Sequence, residues 1–382
     1  MIDAHRLAAE FARMAEISSP SRQEGAMARY LAKRFAALGA EVLFDDAGRR
    51  VGGETGNLIA RFPGRGEPLI ISVLMDTVEP FAGVVPLLRD GICSSAGETI
   101  LGADDKAGIA ELIEALEVLA AEAGPRPPLE VVVTICEEIG LVGAKHLDYS
   151  LLRARRALAL DTSGVDLVIH RAPGANKLRF DISGREAHAG IAPQQGLSAI
   201  EVAARAIAAM RLGRIDAETT ANIGTISGGQ ATNIVARSVV VEGEARSHDL
   251  DKLAAQTAHM VECFEQAAAA SARQIDGSEV RAGINAEILS EYPLLNVPVT
   301  APIVTLLQRA AGHLGRTLEI RAAGGGSDAN IFAGHGIETV IVGTGMRDVH
   351  TVKESVSVAD MVRVTELLVA TIRLAAENEG TG

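Results

Sequence analysis

At 382 residues the chain is longer than one hydrophobic core usually supports, so two domains are expected. Apolar residues make up 48% and aromatics 3%, with no Trp, which excludes a disordered chain and favours an α/β fold with close helix–sheet contacts. A net charge of −13 without any Lys/Arg run argues against a nucleic-acid partner, which needs a basic face, and leaves small molecules or peptides.

The chain opens with MIDAHRLAAEFARMAEI, an amphipathic helical pattern with charges where a signal peptide has a basic and then an apolar run. No apolar stretch approaches the ~20 residues of a membrane helix, so a cytoplasmic protein without membrane contact is expected. Apolar runs and helical patterns then alternate through EPLIISVLMDT, AGIAELIEALEVLAAEA, PLEVVVTICEE and RALALDTSG. This alternation predicts βαβ units around a mainly parallel sheet with helices on both faces. From about residue 174 the grammar changes to PGANKLRFDISG, helix SAIEVAARAIAAMRL, strands TANIGTISGG and SVVVEGEARS, a second helix and SEVRAGINAEI. That order predicts an α+β insertion of βαββαβ, ferredoxin-like type. After about residue 292 the first grammar resumes, with helix TAPIVTLLQRAAGHLG, strand LEIRAA, a Gly-rich loop, strand ETVIVGTG and a final helix. The expected organisation is a discontinuous α/β domain over 1–173 and 292–382, interrupted by the domain over 174–291.

Acidic residues collect where the strands should end. Asp76 follows LIISVLM, Glu137 and Glu138 follow EVVVTIC, Asp161 follows RALAL, and Asp104 with Asp105 precedes AGIAELIEAL. Any one of these reads as a helix cap or a solvated loop carboxylate. Together they crowd the crevice at the carboxyl ends of a parallel sheet, where a cation relieves their mutual repulsion. A zinc-like ion also wants imidazole, and His350 in RDVHTVKES lies just past ETVIVGTG on the same expected edge. His188, in EAHAG of the insertion, is the second candidate. His5, His146, His170, His248, His259, His313 and His335 stand in contexts read as helical or loop surface and receive no role. Cys93, Cys136 and Cys263 are odd in number and lack CxxC spacing, which implies neither a disulfide framework nor a thiolate zinc site.

GADDKAG at 102–108, EEIGLVGAKHLD from Glu137, LDTSG around Asp161, AHAG around His188, GGGSDAN at 324–330 and the late His350 resemble the co-catalytic metallopeptidases. That family includes peptidase T, carboxypeptidase G and acetylornithine deacetylase, and the resemblance is strongest to the peptidase T-like branch. It implies a catalytic metal-binding domain with an inserted lid or dimerisation domain. It also implies Asp104 as a carboxylate bridging two metals, Glu138 and His350 completing one site, Asp161 in the other, and Glu137 as general base. His188 resembles the lid histidine that meets the substrate carbonyl, often from a partner subunit. Arg246, Asn233, Gly326 and Ser327 match substrate-binding positions. An Asp at 161 is the aminopeptidase-type residue.

One position departs from that pattern. The family's His-x-Asp at the end of the first strand reads Leu74, Met75, Asp76 here, so a metal-ligating imidazole is missing and Asp76 has no ring to orient. The expectation is one tight Zn2+ site and a second that is weak or holds Mn2+ or Mg2+. The implied function is aminopeptidase action on di- and tripeptides by a homodimer. Deacylation of N-acyl amino acids and a catalytically silent peptide-binding relative are the alternatives.

Overall fold

The computed structural model describes residues 1–122 and 124–377, and the chain separates into two compact units, 1–172 with 295–382 and 173–294. In the first, α1 (Ala4–Ala15) is capped by Asp3, whose carboxylate accepts from the amides of His5 and Arg6, and it buries Leu7, Phe11 and Met14 at helical spacing. After α2 (Gly25–Ala37) come β1 (Glu41–Phe44), β2 (Leu58–Phe62) and β3 (Leu69–Leu74). Every residue of β3 is buried, as a strand covered on both faces requires. Next are α3 (Ala103–Ala121), β4 (Leu129–Thr134), β5 (Arg156–Thr162) and β6 (Leu167–Ala172). α3 is apolar almost all round because it packs between the sheet, α1 and the last helix.

The second unit holds β7 (Gly174–Ser183), α4 (Ala199–Ala209), β8 (Thr219–Gly228), β9 (Ser238–Ser247), α5 (Leu250–Ala270) and β10 (Gly283–Tyr292). Its antiparallel sheet runs β8-β9-β7-β10, a ferredoxin-like βαββαβ order, with the short strand Gly213–Arg214 outside β8. In β9, Val239, Val241 and Ala245 are buried while Val240, Glu242, Glu244 and Arg246 lie on the more open face. This period of two sets one side of the sheet onto both helices, where Phe180 stacks on Phe264 with ring centroids 4.0 Å apart.

The chain then returns to the first unit with β11 (Leu295–Asn296), α6 (Pro302–His313), β12 (Glu319–Ala322), α7 (Asp328–Gly334), β13 (Glu338–Gly343) and α8 (Val358–Glu377). The large sheet runs β1-β2-β4-β3-β5-β13-β6-β11, with β12 on β6. Its centre, β4-β3-β5-β13, is parallel, whereas β1, β2, β6 and β11 pair antiparallel toward the edges. Helical crossovers cover both faces of the central strands, and the edges are free to use shorter returns. One consequence matters for the site. β3, β4, β5 and β13 all end on one edge, so the loops carrying Asp76, Glu137, Glu138, Asp161 and His350 share a crevice. His170, expected in a helix or loop, lies in β6, with Nδ1 2.6 Å from the Val297 carbonyl oxygen.

Candidate metal centre

Asp104, Glu138 and His350 reach this crevice from three segments far apart in sequence. His350 Nε2 lies 3.1 Å from Glu138 Oε2 and 3.3 Å from Asp104 Oδ2, and one donor atom from each residue falls within 4.8 Å of the others. A tetrahedral ion with bonds of ~2.0–2.1 Å separates its donors by ~3.3 Å, so these contacts fit a zinc-type cation at their centre. The His350 ring is pushed up to about 10, mainly by its hydrogen bonds to Asp104 and Glu138. Two carboxylates here attract whatever positive charge is at hand. His350 itself adopts a left-handed backbone, φ +61°, in the segment after β13.

Buried carboxylates hold the ligand-bearing loops by their amides. Asp104 and Asp105 interrupt helical geometry at the start of α3. Glu354 fixes this turn, accepting from Gly102 N at 2.7 Å and from Asp104 N at 2.9 Å. Asp105, fully buried, accepts from Leu74 N at 3.1 Å. Leu74 is buried and its side chain offers no donor. Asp76, which the resemblance puts among the catalytic residues though with no ring to orient, accepts from Glu137 N at 2.9 Å, Glu138 N at 3.2 Å and Ser21 Oγ at 2.7 Å. It therefore holds the Glu137–Glu138 turn by its amides.

Burial and mutual repulsion raise the pKa of carboxylates in the crevice. Burial pushes Glu137 well up from the usual carboxylate range, reinforced by Asp161, Asp328, Glu138 and Asp104. Asp161, at the end of β5, is raised by burial and then by Asp104 and Asp328. Asp328 is raised to about 7 by burial, although the Thr134 hydroxyl donates to its Oδ2 at 2.5 Å. Asp328 and Glu354 were not singled out from the sequence, and Asp105 was named there only as one of the acids expected in the crevice. Asp328 stands inside GGGSDAN, so a carboxylate within a motif already flagged was the available signal. Ser327 is buried and caps α7, accepting from Ala329 N while Asn330 returns the bond to Ser327 N. Gly326 precedes it in the same loop.

The remaining candidates belong to the inserted unit. His188 is exposed and bridges to Ile234 in antiparallel fashion, and Ala189 N donates to the Asn233 carbonyl, so His188 and Asn233 are neighbours. Arg246 lies on the open face of the small sheet, donating to Glu244 Oε2 at 2.9 Å, and lines a cavity of about 320 Å³ with Asn222, Thr225, Glu291 and Tyr292. Among the described residues, Cys93, Cys136 and Cys263 are free and buried, and no helix is long and apolar enough to cross a membrane.

Known proteins share both units. The Peptidase dimerisation domain model matches residues 171–272 and the M42 glutamyl aminopeptidase model matches residues 93–175. The crystal structure of aminopeptidase PepT from Bacillus cereus is 41% identical, covers 98% of this chain and 99% of its own, and superposes with a TM-score of 0.90. The chain belongs to the peptidase T-like metallopeptidases. Within that family, a tripeptidase from Staphylococcus aureus is 35% identical over 99% of this chain and 100% of its own, with a TM-score of 0.92. The uncharacterized protein YqjE of Bacillus subtilis is 40% identical over 380 residues, 99% of this chain and 100% of its own. The chain carries Leu74 at the end of β3, where the resemblance drawn in the sequence analysis implies a histidine.

Proposed function

We propose that this metallopeptidase is a cytoplasmic aminopeptidase that removes the N-terminal residue from di- and tripeptides. The observation that carries the reading is the juxtaposition of Asp104, Glu138 and His350 in one donor set, with Glu137 beside Glu138 in the same crevice. A zinc ion held by those three residues would polarise the scissile carbonyl and bring the pKa of water toward ~7. Glu137 takes the proton from the attacking water and passes it to the departing amine. Asp76 keeps Glu137 and Glu138 in register through their amides.

The inserted unit serves as lid and dimerisation domain. In that unit His188 is the residue for the substrate carbonyl, and Arg246 and Asn233 are those for the carboxylate end of the peptide; in the first unit, Gly326 and Ser327 are substrate-binding residues. The donor chemistry beside Leu74 does not suit a second zinc: Asp104 and Asp161 supply oxygen alone, which favours a weakly held Mn2+ or Mg2+. The two solved relatives at 41% and 35% identity are named as an aminopeptidase and a tripeptidase, and the N-acyl deacylase reading has no observation of its own.

Glu137→Gln tests the assignment. It should lower kcat on a tripeptide by ~100-fold or more while zinc content stays that of the unaltered protein. Near-normal turnover in that variant would remove Glu137 as the base, and Glu138→Ala should by contrast lose metal and activity together.

A further inference from the structure

The turn that delivers Glu137 and Glu138 is held in an unusual way. Four consecutive amides after β4 donate to side chains: Ile135 N to Asn57 Oδ1 at 3.1 Å, Cys136 N to Glu24 Oε1 at 3.1 Å, Glu137 N to Asp76 Oδ1 at 2.9 Å and Glu138 N to Asp76 Oδ2 at 3.2 Å. Asn57, Glu24 and Asp76 are fully buried. Cys136 takes a left-handed backbone, φ +53°, and the next two amides converge on one carboxylate, as in an anion-binding nest. The direction in which both glutamates leave the strand is thus set by side chains from elsewhere in the chain.

Two of these contacts lead to one segment, Ile17 to Glu24. Ser21 Oγ donates to Asp76 Oδ2 at 2.7 Å, Thr77 N donates to the Ser19 carbonyl at 3.0 Å, and Lys106 Nζ, two residues beyond Asp104, donates to the Ile17 carbonyl at 2.7 Å. Glu24 occupies the N-cap position of α2 yet makes no side-chain cap bond to that helix; its Oε1 accepts from Arg22 N, Cys136 N and the Cys136 thiol. A cap is usually worth having, so a carboxylate turned from its own helix to a distant left-handed turn marks a role in that turn.

We propose that Ile17–Glu24 is a positioning brace, in which Glu24 and Ser21 set the orientation of Glu137 against Glu138 and tie their turn to the one carrying Asp104. The proposal deepens the peptidase reading, because it takes Glu137 as the base and Glu138 as a metal ligand. Small errors in such an alignment cost turnover far more than binding, since the reacting atoms must meet within a few tenths of an ångström.

The test compares Ser21→Ala, Ser21→Thr, Glu24→Ala and Glu24→Gln in the full-length protein. It reads kcat and KM on a tripeptide, the visible absorption of bound Co2+ added as the sole metal, and thermal stability. Glu24→Ala should lower kcat roughly tenfold or more with KM within about twofold, and should shift the Co2+ band as Glu138 is displaced. Glu24→Gln keeps an acceptor oxygen for Cys136 N and should restore both readouts; Ser21→Thr should likewise recover what Ser21→Ala loses. If the alanine variants fall only in thermal stability, with kcat and the Co2+ band unchanged, the brace is a packing feature and the proposal fails. Should Glu24→Ala not fold, the Ser21 pair decides, because it removes a single hydroxyl from a half-exposed residue. A protein that binds Co2+ but cleaves no peptide would overturn the peptidase reading, and the Co2+ band of the variants would still decide the brace.

Discussion

Leu74 has the largest chemical consequence of any single residue in the crevice. It ends β3 buried against a carboxylate, and its amide donates to Asp105, so the backbone is in place for a ligand that the side chain does not supply. Leu74→His would return an imidazole to a position flanked by Asp76 and near Asp104 and Asp161. Asp76 already accepts from two amides and a hydroxyl, so it has little left to orient the ring, and the gain should be partial. The expected outcome is a metal content rising from about one toward about two per chain, with higher turnover on tripeptides, read by elemental analysis beside a kinetic assay. Unchanged stoichiometry and unchanged rate would show that another group limits the second position.

Among the elements, α3 carries the strongest internal conflict. It is buried along nearly its whole length, and Glu111 in its middle is fully buried with neither carboxylate oxygen hydrogen-bonded. Burial, with Asp360 adding repulsion, drives this carboxyl well above its ordinary 4.5. The folded protein therefore keeps a proton that the unfolded chain releases above that range, and stability falls as pH rises through and beyond it. Glu111→Met removes the penalty at similar volume. It should raise stability by about 1–3 kcal/mol at pH 8 and by less at pH 4, as measured by denaturant unfolding at both values. A variant less stable than the unaltered protein at pH 8 would mean that Glu111 is paired in solution. Near the start of the same helix, Gly108 shows how tightly the site is built: a Cβ there would stand 2.4 Å from Asp105 Oδ1.

For the whole molecule, the inserted unit bears on assembly. One edge of its sheet is β10 and the other is β8 with the short strand Gly213–Arg214, and the dimerisation-domain match over 171–272 includes β8 but stops before β10. Among the described residues, β8 pairs outward with Gly213–Arg214 only at Thr220 and Ala221, which leaves 222–228 without an outer partner. Ile226 on that edge and Ile200 on α4 are exposed. Such an edge is a template for antiparallel pairing with its own copy about a two-fold axis. A solution mass of twice 39.8 kDa is expected by sedimentation, and Ile226→Lys should shift the equilibrium to the single chain. A monomer at micromolar concentration would remove the dimer from the proposed function.

The sequence by itself determined the fold class and pointed to the candidate metal-binding side chains. Buried parallel strands write continuous apolar runs, and their common direction puts whatever follows each run on one edge, so Asp76, Glu137, Glu138, Asp161 and His350 could be assembled before any coordinate was known. Leu74 was equally legible, because an apolar residue cannot donate to a metal wherever it sits. What only the tertiary structure decided was how those side chains are held. The carboxylate of Glu354 on the Asp104 turn, that of Glu24 on Cys136 and the amides gathered by Asp76 join residues up to 250 positions apart. Local pattern carries no trace of such bonds, since a buried acid that accepts from a distant amide looks, in sequence, like any other loop or helix-cap residue. Parallel pairing at the centre and antiparallel pairing at the edges were likewise settled by which strands became neighbours, a choice made by packing across the whole sheet.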